Sequence, residues 1–70
     1  MKEYVINNVS SLRKEREITQ EELARAIGVS RQTVVAIEKG SYTPSLLLGL
    51  KIAKFFKRRV EEVFQYTYEK

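Results

Sequence analysis

The side chains best suited to chemistry in this sequence gather in one ten-residue stretch, Ser30 to Lys39. Read as a helix at about 100° per residue, the stretch puts Val34 and Ile37 on one side. Gln32, Val35, Ala36 and Lys39 then lie on the opposite side, with Arg31 and Thr33 at its flanks. An arginine can pair bidentately with guanine and a glutamine with adenine, while Thr33, Val35 or Ala36 can touch thymine methyl groups. The chemistry on offer is recognition of base edges. Without the surrounding pattern, the same residues read as an ordinary solvated helix face.

Other kinds of chemistry find little material. The chain has neither cysteine nor histidine, which excludes disulfides, Cys/His zinc sites, thiol catalysis and imidazole acid-base work. No nucleophile and base pair, metal-ligand cluster or phosphate loop can be assembled, so neither an enzyme nor a cofactor is expected. Glu21, Glu22, Glu61 and Glu62 are explained as helix-start carboxylates favoured by the helix dipole. Thirteen Lys and Arg against nine Asp and Glu give a net charge of +4, which suits a polyanionic partner without requiring one.

The elements that must position the Ser30 to Lys39 face carry clear boundaries. Thr19 can cap a helix by accepting from the Glu22 N–H while Glu22 reaches back, and Ile18 can staple onto Leu23. Ser30 is the next cap, with Val29 and Val34 as a second staple and Gly40 as the permissive residue after the helix. Upstream, Val9, Leu12, Arg13 and Arg16 recur at helical spacing, predicting a first helix over Asn8 to Arg16 capped by Asn7 or Asn8. Downstream, Leu46, Leu50, Ala53 and Phe56 mark a stripe of a longer helix, started either by Thr43 with Pro44 at its first position or by Ser45. Val60, Val63 and Phe64 predict a short fifth helix after the basic run Lys57-Arg58-Arg59, read as a charged loop ahead of a phosphate patch.

Both ends are β-branched or aromatic, and a strand over Tyr4 to Ile6 paired with Gln65 to Tyr68 fits them, in one chain or across a dimer. Seventy residues make one small domain, short enough that tight helix packing or a dimer is expected. The chain does not open on a charged-then-apolar signal segment, and its longest apolar-rich stretch, Leu46 to Phe56, is broken by Lys51 and Lys54. The expectation is a soluble cytoplasmic protein, nucleoid-associated if it binds DNA, with no membrane partner.

Leu12-Arg13, Thr19-Gln20-Glu21-Glu22-Leu23-Ala24, Gly28-Val29-Ser30-Arg31-Gln32-Thr33, Ile37-Glu38, Gly40, Pro44-Ser45-Leu46 and Leu50-Lys51-Ile52-Ala53 together resemble the phage repressor and Cro-type helix-turn-helix regulators. The likeness runs over about residues 9 to 64. Ala24 supplies the small residue where two steeply crossed helices approach, and Gly28 the turn residue that tolerates positive φ. The resemblance implies an all-α, compact five-helix fold whose third helix enters the DNA major groove, to which short terminal strands can be added. It also implies a sequence-specific regulator, a repressor binding a palindromic operator as a homodimer, or an antitoxin or other protein-interaction module on the same scaffold.

By the same resemblance, Gln20 matches a position that bonds a backbone phosphate, and Arg13 and Glu38 match an internal ion pair. Lys39 with Ser41 and Tyr42 forms a second phosphate clamp. The expected DNA-contacting set is thus Gln20, Ser30, Arg31, Gln32, Thr33, Val35, Ala36, Lys39, Ser41 and Tyr42. Leu47, Phe55, Tyr66 and Tyr68 are the candidates for a dimer or protein-partner surface. Glu17 and Lys57 stand where many relatives have glycine, which predicts left-handed or altered helix ends, a shorter first helix and a fourth that runs on toward Arg59.

Overall fold

The computed structural model describes residues 1–70. Strand β1 (Lys2–Asn7) leads into helices α1 (Val9–Glu15), α2 (Gln20–Ile27), α3 (Arg31–Lys39), α4 (Leu46–Phe56) and α5 (Val60–Val63), and strand β2 (Phe64–Glu69) closes the chain. The all-α expectation is corrected by β1 and β2, which pair antiparallel from Lys2↔Glu69 to Asn7↔Phe64 within one chain. Their partnership follows from how the helices end. The Asn8 N–H donates to the Val63 carbonyl at 2.9 Å and the Asn8 side chain to the Glu62 carbonyl at 2.9 Å, so the flanking β-branched and aromatic segments start out in register.

The core is one cluster of Val9, Leu12, Leu23, Ala24, Ile27, Val34, Ile37, Ile52, Ala53, Phe56 and Val63, drawn from all five helices. Helix α2 packs on α3 and α4, and α1 on α3. Thr19 caps α2 reciprocally: its hydroxyl accepts from the Glu22 N–H at 3.0 Å, and Glu22 Oε1 accepts from the Thr19 N–H at 2.7 Å. Gly28 at φ 77° and Gly40 at φ 82° end α2 and α3 in the left-handed region, where a Cβ would be strained.

Several boundaries differ from the sequence reading. Helix α1 is Val9–Glu15, and of the two expected caps Asn8 holds the N-cap position, though without a side-chain bond, while Asn7 Oδ1 accepts from the Val9 N–H at 3.1 Å. Ser45 starts α4, its hydroxyl accepting from the Leu48 N–H at 3.2 Å. Rather than running toward Arg59, α4 stops at Lys57, which takes φ 57°, as Glu17 takes φ 56° after α1. Each costs on the order of 1 kcal/mol relative to glycine. The α4 stripe is also rotated: Gly49, Ile52, Ala53 and Phe56 face inward, and Leu46 and Leu50 are exposed. The turn that meets the sheet presents Gly49, beneath the Phe64 ring, so the largest apolar residues of that turn are left outside.

Candidate nucleic-acid interface

Helix α3 is held from behind and capped at both ends. Val34 and Ile37 are essentially fully buried, which fixes the rotation of the helix about its axis. At its start the Ser30 hydroxyl accepts from the Thr33 N–H at 3.2 Å and lies 3.1 Å from the Thr33 hydroxyl. At its end the Ala36 carbonyl accepts from the Ser41 N–H at 3.0 Å and from the Ser41 hydroxyl at 3.3 Å, folding the Gly40-Ser41-Tyr42 loop against the helix. Arg31, Gln32 and Lys39 are exposed, whereas Thr33, Val35 and Ala36 are half-buried among them. Arg31, Gln32 and Lys39 make no side-chain hydrogen bond or ion pair within the chain, so their donors are available to a partner.

The N-terminus of α2 meets this surface. Arg13, Thr19, Gln20, Glu21 and Arg31 line one broad hollow with no hydrophobic wall. The first-turn N–H groups of Gln20 and Glu21 have no carbonyl one turn back and carry the positive end of the helix dipole. An anionic oxygen entering the hollow would meet these groups and the Arg31 guanidinium together.

Beneath the hollow lies a network that ties three helices. Arg13 Nε donates to Glu38 Oε2 at 2.8 Å and Nη2 to Glu38 Oε1 at 3.2 Å, while Nη1 donates to the Ile18 carbonyl at 3.0 Å. The two side chains retain only 13% and 8% exposure. Sequence reasoning did not foresee the third member: Gln20 Nε2 donates to Glu38 Oε1 at 3.1 Å. One amide hydrogen of Gln20 is thereby committed and the side chain oriented, leaving the second hydrogen for an outside acceptor. Nothing in the local sequence signals this bond, because Gln20 and Glu38 meet only once α2 and α3 have crossed. A second unforeseen contact is the Asn7 side-chain amide, which donates to the Ile37 carbonyl at 2.8 Å and pins the end of β1 to α3.

Charge states follow from these contacts. Burial pushes the Glu38 carboxyl up, but hydrogen bonds from Arg13 and Gln20 together with the Arg13 charge outweigh it and hold it below the ordinary carboxylate range. The hydrogen bond to Glu38 raises Arg13 in turn. Both groups are charged at neutral pH, and the pair is spent internally. Of the four residues expected to form a partner surface, Leu47, Tyr66 and Tyr68 are exposed. Phe55 is not part of that surface: it packs half-buried on the core, with the Arg16 guanidinium 5.3 Å above its ring.

An α2–α3 pair packed together across a short turn, with a capped, donor-bearing outer helix, defines a helix-turn-helix domain. The helix-turn-helix family model matches residues 9–63, and the chain belongs to this family of transcriptional regulators, whose members bind double-stranded DNA and are not enzymes. It is 53% identical over 60 residues to an uncharacterized HTH-type transcriptional regulator of Methanocaldococcus jannaschii, covering 86% of this chain and 91% of the relative. It is 40% identical over 57 residues to the cryptic phage CTXphi transcriptional repressor RstR of Vibrio cholerae, covering 81% of this chain and 51% of that protein. Among solved structures, the restriction-modification controller protein C.AhdI of Aeromonas hydrophila superposes with a TM-score of 0.72 at 31% identity, covering 79% of this chain and 83% of that one. No helix is long and apolar enough to cross a membrane.

Proposed function

We propose that this chain is a transcriptional repressor that binds a palindromic operator as a homodimer, reading bases with the outer face of α3. The observation that carries the proposal is the division of α3 into a buried side, Val34 and Ile37, and an exposed side on which Arg31, Gln32 and Lys39 have no partner in the chain. Arg31 and Gln32 read base edges, with the Thr33, Val35 and Ala36 surfaces against thymine methyls. Gln20, Ser30, Lys39, Ser41 and Tyr42 contact phosphates and set the register. The similarity to RstR, itself described as a transcriptional repressor, supports repression over activation. The two recognition helices would lie about 34 Å apart, one turn of DNA. Residues 1–70 act in this reading as a single helix-turn-helix DNA-binding domain.

Selection of bound sequences from random duplex DNA tests this reading directly. A palindromic consensus is expected, and no enrichment over random DNA would end it. Arg31→Ala should cost about 1–3 kcal/mol and relax the preference at one base position of each half-site. Lys39→Ala should weaken binding to all sequences alike and lower the salt slope by about 1 per copy.

A further inference from the structure

We infer that Glu21 is an affinity-limiting residue of the DNA interface: its carboxylate lines the hollow at the start of α2 and opposes the phosphate seated there, whatever the sequence of the duplex. The inference rests on the reading above that the first turn of α2 contacts a backbone phosphate, and it adds a residue that works against that contact. Glu21 is exposed, makes no side-chain hydrogen bond and belongs to neither ion pair of the chain. It is the one carboxylate among the residues that line the hollow, beside Arg13, Thr19, Gln20 and Arg31.

Its neighbour in the same turn behaves differently. Glu22 is turned back along the chain, where its Oε1 accepts from the Thr19 N–H at 2.7 Å and completes the cap. The cap needs only Glu22, so the Glu21 carboxylate is left facing the space that an incoming anion would fill.

The charges of the hollow cancel. Arg13 is neutralised by Glu38 at 2.8 Å, which leaves the Arg31 guanidinium and the Glu21 carboxylate as the two uncompensated groups of the wall. A phosphate entering there meets no net charge. It is held by direction instead, through the first-turn N–H groups and the amide hydrogen of Gln20 that is not bonded to Glu38. Salt does not remove the opposition. A phosphate bonded to the Glu21 N–H lies, by the length of the side chain, within about 8 Å of the carboxylate of the same residue, the Debye length at physiological salt. At such separations near a protein surface, two like charges repel by an amount worth on the order of tenfold in affinity. Phosphates carry no sequence information, so the effect falls on every duplex alike. Glu21 thus lowers occupancy without touching base preference, and leaves α3 to decide which sites are held.

Anisotropy titrations of a labelled random-sequence duplex with the full chain, with circular dichroism to confirm folding, test this role. Glu21→Gln should tighten binding about tenfold per copy bound and steepen the salt slope by about 1, because the hollow then carries the Arg31 charge alone. Glu21→Lys should tighten it about tenfold further, and Glu21→Asp, which keeps the charge, should stay within about threefold of the wild type. Glu61→Gln on α5 makes the same change in net charge outside the hollow and should shift Kd by less than about twofold. Stability should move the other way: losing a carboxylate favoured by the helix dipole should lower the Tm of Glu21→Gln by about 2–4 °C. A variant that melts earlier yet binds tighter separates this role from a structural one. The consensus selected from random DNA should be the same for Glu21→Gln as for the wild type. Equal shifts in Glu21→Gln and Glu61→Gln overturn the inference, as does a changed consensus or any loss of affinity in folded Glu21→Gln. A charge series that holds in a protein selecting no DNA sequence would uphold the role of Glu21 while ending the repressor reading.

Discussion

The α2–α3 unit and the terminal sheet have equally regular backbones but are held by opposite means. Between Thr19 and Gly40 each boundary is fixed by a cap within a few residues, and Leu23, Ala24, Ile27, Val34 and Ile37 are all buried. The sheet joins residue 2 to residue 69, and no residue in either strand is fully buried. Two-stranded sheets are marginal on their own, and this one persists because the chain at Asn8 and Val63 is already fastened to the helices. Local chemistry makes the DNA-reading unit, and the completed core makes the sheet.

This contrast is open to measurement. Ile37→Ala opens a cavity where α3 meets the core and should cost about 3 kcal/mol by urea unfolding, whereas Ile6→Ala in the exposed face of β1 should stay within about 0.5 kcal/mol. Equal losses would show that the sheet is part of the cooperative unit in its own right, and the distinction would fail. Glu38→Gln should cost about 2 kcal/mol by leaving the Arg13 guanidinium without its carboxylate.

The same carboxyl gives the wild type a pH dependence of fixed sign. The Glu38 pKa is depressed in the folded state, so its contribution is complete above the unfolded value of about 4.3 and is lost as pH falls through the depressed folded value. Thermal unfolding should therefore be flat around neutrality and fall in acid, with a shallower fall in Glu38→Gln. Thr19→Ala, which removes one half of the α2 capping box, should cost about 1 kcal/mol.

The sequence disclosed whatever is decided within one turn of the chain. Both caps of the helix-turn-helix and its inward-facing residues follow from local residue types, whereas the left-handed ends at Glu17 and Lys57 were implied only by the resemblance to relatives that have glycine there. The α4 stripe was misplaced because leucines outweigh glycine in any hydrophobic pattern, while the packing of Phe64 selects Gly49. The Gln20 bond to Glu38 and the Asn7 bond to the Ile37 carbonyl were invisible for a different reason: each joins segments brought together only by tertiary structure. Strand pairing was legible as composition at both ends, but its intrachain form depends on the meeting of Asn8 with Val63.

The free side chains of Arg31, Gln32 and Lys39 carry a consequence for how such a chain can change over generations. Because none of them supports the core, a duplicated gene can exchange all three while its product folds as before. Gln20 has no such freedom, since it is bonded to the network that ties α2 to α3. If Arg31 and Gln32 read bases as proposed above, descendants of one scaffold can diverge into regulators of separate genes through changes on a single surface, with the frame beneath left as inherited.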